Sequence, residues 1–247
     1  MGVQDLEKNI YANQARWPQP SGFFYQRYNK DMPAKSSQKA SPLSKDSMDI
    51  LIAEYNYIAE TAAQSNEDRA RVSSFYLVAV GSLVAALLSA QFVSNILDKG
   101  LINILFSILF LLLTLLGTTT VLQLTRLRVA WFESLIAMDR IKEFMIARDK
   151  SLAQAFKWRI QSAPDLYKPN SVSYLQTVEV AILSALTFGT GVFFFQKGIQ
   201  YNCAPCNWAY SVSLGLLAFF LQLWVYKKQL KLEKIRLQKE LENHHDS

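Results

Sequence analysis

The sequence predicts an all-α integral membrane protein with four transmembrane helices, paired as two hairpins, and with both termini in the cytoplasm. The first observation behind this fold class is that Asp, Glu, Lys, Arg and His are absent from four long stretches of the 247-residue chain: 72–97, 101–125, 180–196 and 198–226. The second is that, if each stretch crosses a membrane once, 24 of the 26 Lys and Arg residues lie on the same side of it. A bilayer core requires about 20 apolar helical residues, so each stretch can span or nearly span one.

We place the four spans at about 74–95, 101–124, 173–195 and 208–226. Helices in soluble proteins are rarely apolar on all sides over such a length, because one side normally faces water. Only 19% of the residues are charged, whereas an average soluble domain has roughly 25%. The composition therefore favours a membrane protein.

The distribution of Lys and Arg predicts the orientation. Nine precede the first span, nine lie between the second and third spans, and six follow the fourth, whereas the two remaining connections contain only Lys99 and Lys197. Because positive charge in short loops stays on the cytoplasmic side, we expect two short outer loops and cytoplasmic termini in a cell membrane of the bacterial inner-membrane type. The same cations would contact anionic lipid. Nucleic acid is not an expected partner, because no basic motif interleaved with aromatic residues is present.

Residues 1–46 form a predicted N-terminal arm that is polar and contains four prolines. It also contains an aromatic cluster, which includes Trp17, Phe23, Phe24 and Tyr25. Disordered tails are usually poor in aromatic residues, so we expect this arm to dock on its own bundle, on a neighbouring subunit or at the lipid surface. The alternative is a tail without a docking site.

Residues 47–160 are predicted to form a cytoplasmic helix, the first span, the second span and a second cytoplasmic helix. From Ser47 onward, apolar residues recur at steps of three and four, and neither proline nor glycine interrupts them before the membrane. After the second span, an apolar stripe that includes Trp131 and Met138 continues the helix and is a candidate contact for a cytoplasmic partner or sensor. Ser151, followed three residues later by glutamine, predicts a capping box for a short further helix.

A proline-containing loop at 161–172 is expected to return the chain to the membrane. Residues 173–247 then provide the second hairpin, which consists of the third span, a short outer loop, the fourth span and a C-terminal helix. That helix carries apolar residues on one side: Leu230, Leu237 and Leu241. We expect it to pair with the other cytoplasmic helices or with another subunit.

Small residues recur at intervals of four in two of the spans. They are Gly81, Ala85 and Ser89 in the first span, and Ala181, Ala185 and Gly189 in the third. In membranes, small residues let helix backbones approach closely. We therefore expect both stripes to be helix-packing seams.

An acidic residue, Glu179, falls inside the third span. It lies five residues after Tyr174, or about 8 Å along the helix, and a charge costs on the order of 2.5–3.5 kcal/mol at mid-membrane and less near the surface. Other polar residues share its side of the third span or align on the second span: Gln176, Thr187, Thr190, Ser107, Thr114 and Thr118. Either these residues line a wet seam or pore centred on Glu179, or Glu179 is solvated near the surface or paired with a cytoplasmic arginine.

Cys203 and Cys206, the two cysteines of the chain, lie in the second outer loop as C-A-P-C. This position resembles that of the C-x-x-C in the vitamin K epoxide reductase and DsbB families, which implies thiol–disulfide exchange with a quinone. Those families relay electrons through a second cysteine pair, which this sequence lacks. The alternative is a structural disulfide or two unused thiols. Zinc is not expected, because it requires four ligands and His244 and His245 lie on the predicted opposite side.

The unit of helix, span, tight turn, span and helix within residues 47–157 resembles the SLATT-type and related four-span membrane effector domains of bacterial conflict systems. The resemblance lies in layout and local character, from EYNYIAETAAQSNEDRARVSSFYLVAVGSLVAALL to TRLRVAWFESLIAMDRIKEF. It implies a membrane protein that oligomerises and breaches the bilayer under the control of a cytoplasmic sensor. These families are not defined by catalytic residues, so none is carried over.

Three functional hypotheses follow. The favoured one is a non-enzymatic, oligomeric membrane protein that forms a pore or disrupts the bilayer and is gated through its cytoplasmic helices. The second is an accessory or scaffold subunit that anchors a cytoplasmic partner, and the third is a quinone-linked thiol–disulfide oxidoreductase. No catalytic residue, cofactor or metal of a soluble enzyme is predicted, because H-E-x-x-H, P-loop, G-x-S-x-G and G-x-G-x-x-G motifs are missing.

Overall fold

The structure of the protein is a computed structural model, which describes residues 44–90, 99–156, 165–199 and 204–243. Within these ranges there is no strand. The residues form five helices: α1 (Lys45–Ala90), α2 (Lys99–Arg148), α3 (Leu152–Ala155), α4 (Val172–Gly198) and α5 (Ala204–Asn243). All except α3 are long and apolar enough to cross a membrane. The predicted all-α class and the four apolar helices of spanning length are therefore confirmed.

The start of α1 and the turn that follows α2 differ in detail from the prediction. Helix α1 begins at Lys45, and the Ser44 hydroxyl accepts a hydrogen bond from the Ser47 backbone N–H at 3.2 Å, as an N-cap residue does. The predicted capping box at Ser151 does not form. Instead, the backbone N–H and the hydroxyl of Ser151 both donate to Asp149 Oδ1, at 2.9 and 2.6 Å. These bonds hold the pKa of Asp149 below its ordinary value, and the chain turns there because the carboxylate supplies the acceptor.

Helix α4 has a well-defined start. Asn170 adopts a φ of 63°, a left-handed conformation that asparagine tolerates better than most residues. Ser171 follows in an extended conformation, and its hydroxyl accepts a hydrogen bond from the Tyr174 backbone N–H at 3.3 Å. The turn and the cap together set the point at which α4 begins.

The chain divides into two compact units. The smaller one contains α1 up to Leu51 and the part of the chain from Asp139 to Asp165, and the larger one contains Ile52 to Met138 and everything from Leu166 onward. In the smaller unit, Lys142 Nζ donates to Asp139 Oδ1 at 2.9 Å, and both side chains are buried. The larger unit holds the apolar parts of α1, α2, α4 and α5, and with them the candidate site.

Helices α4 and α5 form a tight hairpin in the larger unit. A β-carbon added at Gly189 would lie 2.9 Å from the Ser211 carbonyl oxygen, and one added at Gly215 would lie 3.0 Å from the Ala185 carbonyl oxygen. The two backbones therefore touch without intervening side chains, which is the kind of contact that small residues make possible between helices in membranes.

Helix α2 packs along the same hairpin. Near one end, the Phe110 ring of α2 stacks on the Phe194 ring of α4 with centroids 5.8 Å apart. We call this the hairpin end, because Gly198, the last residue of α4, also packs against Ile104 there. Towards the opposite end, which we call the charged end, buried apolar residues of all four long helices and the loop before α4 form one cluster: Tyr76, Val121, Leu124, Val129, Phe132, Leu166, Val180, Tyr226, Leu230 and Leu237.

Candidate functional site

A buried amide connects three helices in the middle of the bundle. Gln222 of α5 is 7% exposed, and its Nε2 donates to Ser184 Oγ of α4 at 2.8 Å and to Thr118 Oγ1 of α2 at 3.2 Å. Both hydroxyls in turn donate to one acceptor, the Thr114 carbonyl oxygen, at 3.3 Å from Ser184 and 2.9 Å from Thr118. Every donor in this chain of bonds therefore has a defined acceptor on a neighbouring helix or turn. Bonds of this kind contribute about 0.6 kcal/mol each in membrane proteins.

A second contact extends this network along α2 and α4. Thr114 Oγ1 and Thr187 Oγ1 lie 3.1 Å apart, within hydrogen-bonding distance. Each hydroxyl also reaches a carbonyl oxygen of its own helix, Thr114 that of Phe110 and Thr187 that of Ser184, at 2.9 Å in both cases. Threonine can satisfy its hydroxyl in this way within an apolar helix, so the contact costs little to bury.

Tyr76 brings α1 to the same level of the bundle. Its side chain is 1% exposed, and its hydroxyl oxygen lies near the Ser184 and Thr187 hydroxyls, although not in hydrogen-bonding geometry. Gly117 of α2 makes the space for it, because a β-carbon there would lie 2.6 Å from the Tyr76 oxygen and 2.7 Å from Ser184 Cβ. Three helices thus converge on one glycine.

The chemistry of this polar network is hydrogen bonding. Its members are hydroxyls and one amide, groups that do not exchange protons at neutral pH. In the described parts of the chain, no group of three or more His, Cys, Asp or Glu side chains is arranged to hold a metal ion. The network is suited to fixing the positions of α2, α4 and α5.

The residues predicted to form the polar seam are only partly brought together. Thr114, Thr118 and Thr187 belong to the network described above. Ser107 is buried, but its hydroxyl has no hydrogen-bond partner, and Gln176 and Thr190 are half-buried elsewhere on their helix. Glu179 is exposed on the outside of the bundle, because the eight residues that separate it from Thr187 turn the helix by about 80°. The polar interior is therefore centred on Thr114 and Thr187 and not on Glu179.

The two small-residue stripes have different surroundings. In α4, Ala181 and Ala185 are buried and Gly189 is half-buried, and this stripe faces α5. In α1, Gly81, Ala85 and Ser89 are all exposed, and nothing lies within 4 Å of a β-carbon added at Gly81. The α1 stripe faces away from the bundle, since Tyr76, on the opposite side of the same helix, is buried within it.

The remaining predicted site residues fall into two groups, those outside the described residues and those on the surface of α2. Cys203 and the aromatic cluster of the N-terminal arm (Trp17, Phe23, Phe24 and Tyr25) lie outside the described residues, as does the side chain of Cys206. Trp131 and Met138 are half-buried on α2, where the Arg128 guanidinium carbon lies 4.6 Å from the centroid of the Trp131 ring.

The residues predicted from the sequence do not include Gln222, Ser184, Tyr76, Arg69 or Arg128. A signal existed for Gln222, because it is an amide within an otherwise apolar span. No comparable signal existed for Ser184, which lies between two alanines of the small stripe and has the same size. Comparison with known proteins adds no further guide: the chain matches no protein-family model, no curated protein and no solved structure.

Proposed function

We propose that this chain is a non-enzymatic, multi-pass membrane protein that assembles through the outer face of α1 and permeabilises the bilayer as an oligomer. The observation that carries the proposal is the contrast between the two small-residue stripes. The stripe on α4 is packed against a helix of the same chain, whereas the stripe of Gly81, Ala85 and Ser89 on α1 is exposed.

The contrast points to assembly for an energetic reason. Between helices in a bilayer there is no hydrophobic gain, because lipid tails are as apolar as leucine, so association depends on close packing. A row of small residues allows that close packing only when another helix occupies it. A second copy of this chain supplies a matching row, and symmetric homo-oligomers are the commonest assemblies.

Permeation between copies is favoured over permeation through one copy. The polar network inside one bundle links α2 to α4 and α5 through contacts of Thr114 with Thr187, Ser184 with the Thr114 carbonyl oxygen, and Gln222 with Thr118. Glu179, by contrast, is on the outside, where lipid would impose a cost on the order of 2.5–3.5 kcal/mol at mid-membrane depth. A water-filled seam between copies would remove that cost, and it would give the carboxylate a role in the passage of ions.

Control from the cytoplasm is consistent with the extended helices. The charged end carries most of the cations, and the positive-inside rule supports a cytoplasmic location for it. There, Arg236 of α5 forms an ion pair with Glu133 of α2 at 2.7 Å, with side chains 52% and 43% exposed. Exposed pairs contribute only about 0–1 kcal/mol, so a partner that competes for either charge would break this ion pair at little cost.

Filling the empty stripe is expected to prevent assembly. In Ala85→Phe, a ring would replace the methyl group on the outer face of α1, so neighbouring copies could no longer approach. We expect the mass of the detergent-solubilised particle to fall from that of an oligomer to that of one 28.1 kDa chain, and dye release from liposomes to be lost. Ala209→Phe is the matched control, because Ala209 is also exposed but lies on α5. A monomeric wild-type particle would refute the proposal.

Removing the outer carboxylate is expected to change ion passage without changing assembly. Glu179→Gln keeps the shape of the side chain and removes its charge, so we expect cation flux into liposomes to fall several-fold at an unchanged particle mass. Glu67→Gln, an exposed acid of α1 before the first span, should leave the flux as in the wild type. Equal flux in all three proteins would exclude Glu179 from the ion path.

One observation favours the scaffold hypothesis as a second candidate. Leu232 and Ile235 of α5, beyond the apolar span, are 57% and 42% exposed and lie opposite the buried Leu230 and Leu237. An exposed apolar pair of this kind supports contact with another protein. A wild-type oligomer that assembles but releases no dye would favour this candidate over the pore.

A further inference from the structure

Two arginines lie together near the charged end of the bundle, apart from the polar network. Arg128 of α2 is 6% exposed. Its Nε donates a hydrogen bond to the Leu166 carbonyl oxygen at 3.3 Å, and its guanidinium lies over the Trp131 ring. Arg69 of α1 is close enough for its charge to act on Arg128, and both charges act on the Tyr226 hydroxyl. Two cations and a phenol, carried by three helices, are therefore close enough to interact electrostatically.

Arg69 is only partly satisfied in this position. Its Nη2 donates to the side-chain oxygen of Asn66, which is neutral. Its Nε and Nη1 are buried and have no hydrogen-bond partner. Among the ion pairs of the described residues, none involves Arg69. Arg69 as a whole is half-buried, but two of its donor atoms are buried and open, and the charge of Arg128 is close enough to repel it.

This arrangement is costly without a negative charge. A buried lysine can lose its proton, but arginine stays charged because its pKa is above about 12. Burial lowers the pKa of Arg69, and burial followed by repulsion from Arg69 lowers that of Arg128, so both shifts report an unfavourable environment for the cations. Leaving a buried charge without a partner is destabilising in other proteins. An anion at this site would offset that cost.

We propose that Arg69 and Arg128 form a binding site for a phosphate group, carried either by the headgroup of an anionic phospholipid or by a free phosphate ion. Guanidinium groups match the oxygen geometry of phosphate, and the Tyr226 hydroxyl, which lies beside the hydroxyl of Ser173, adds a neutral donor. The lipid source rests on the membrane placement proposed above, under which Arg69 and Arg128 lie four to five residues outside the first and second spans, at headgroup depth.

The site can be tested by thermal unfolding of the full chain in detergent, with phosphatidylglycerol, diacylglycerol or inorganic phosphate added. We expect phosphatidylglycerol to raise the melting temperature and diacylglycerol, which lacks the phosphate, to leave it unchanged. In Arg69→Gln the affinity should fall by about tenfold or more, since a hydrogen bond to a charged group contributes about 1.5–3 kcal/mol. Arg71→Gln is the matched control, because Arg71 is exposed and paired with Asp68.

The outcomes separate the two sources and the site itself. Stabilisation by inorganic phosphate that Arg69→Gln abolishes would identify a free ion, and stabilisation by phosphatidylglycerol alone would identify the headgroup. Arg69→Gln should fold, because it removes a charge that repels Arg128. Arg128→Lys keeps the positive charge but loses the planar set of guanidinium donors, so it should also weaken binding. Equal binding by Arg69→Gln and Arg71→Gln, or no stabilisation by either phosphate source, would overturn the site. The particle mass, measured in parallel, reports separately on assembly.

Discussion

Replacing Gly117 with leucine is expected to cost about 3 kcal/mol of stability and to separate α2 from α4. Even the first atom of the new side chain would lie 2.7 Å from Ser184 Cβ and 2.6 Å from the Tyr76 oxygen. The tyrosine hydroxyl is the end of a long side chain, but the serine β-carbon is fixed to its backbone, so the helices must move apart. Overpacking of a filled core costs about 1–3 kcal/mol, and the lost interhelical hydrogen bonds add about 0.6 kcal/mol each.

Gly81→Leu provides the matched control for this substitution. It makes the same chemical change in another span, at a position where nothing lies within 4 Å. We expect unfolding of the Gly81→Leu chain in denaturant to resemble the wild type, while its particle mass falls because the outer stripe is filled. If Gly117→Leu unfolds at the wild-type denaturant concentration, the convergence of three helices on Gly117 is not a determinant of the fold.

Removing one member of the buried ion pair in the smaller unit is the second change with a large expected effect. Asp139 is 1% exposed and Lys142 is 8% exposed, so Asp139→Ala removes a carboxylate that lies 2.9 Å from a buried ammonium. Such changes cost about 3–5 kcal/mol. The double variant Asp139→Leu, Lys142→Leu removes both charges and should regain most of this loss, because apolar replacements of whole buried pairs are often neutral or stabilising. Denaturant titrations of the three proteins in detergent would measure both effects.

The same pair predicts how stability depends on pH. Burial raises the pKa of Asp139 above its ordinary value, and the hydrogen bond from Lys142 opposes the shift only in part. A carboxyl whose pKa is raised in the folded state contributes most stability when protonated, so its contribution is present at low pH and declines as pH rises through the raised pKa. We expect this decline in the wild type and not in the double variant. A stability that rises with pH over that interval would show that attraction to Lys142 outweighs burial.

The general architecture follows from the sequence for simple reasons. Four stretches without charge, each about as long as a bilayer is thick, leave few alternatives to helices. The absence of proline and glycine between Ser47 and the first span predicts the continuous α1. In both cases the deciding information is local, so a single sequence contains it.

The sequence does not predict which side of each long apolar helix faces the interior of the bundle. Glu179 and Ser184 lie on one helix, and the sequence favours the first as a site residue because it carries a charge. The structure buries the second, because Ser184 fits beside Gly117 and within reach of Gln222. That choice depends on residues about 40 to 70 positions away along the chain. In a helix with apolar residues on every side, periodicity does not reveal it.

The hairpin of α4 and α5 has a consequence for how such a chain diverges over time. Where two backbones touch at Gly189 and Gly215, any larger residue is excluded, whereas a lipid-facing position accepts almost any apolar side chain. Distant homologues could therefore lose nearly all overall identity and still keep a sparse set of glycines and hydroxyl residues at fixed intervals. A search that weights these few positions above the surrounding leucines should detect ancestry that whole-sequence alignment misses.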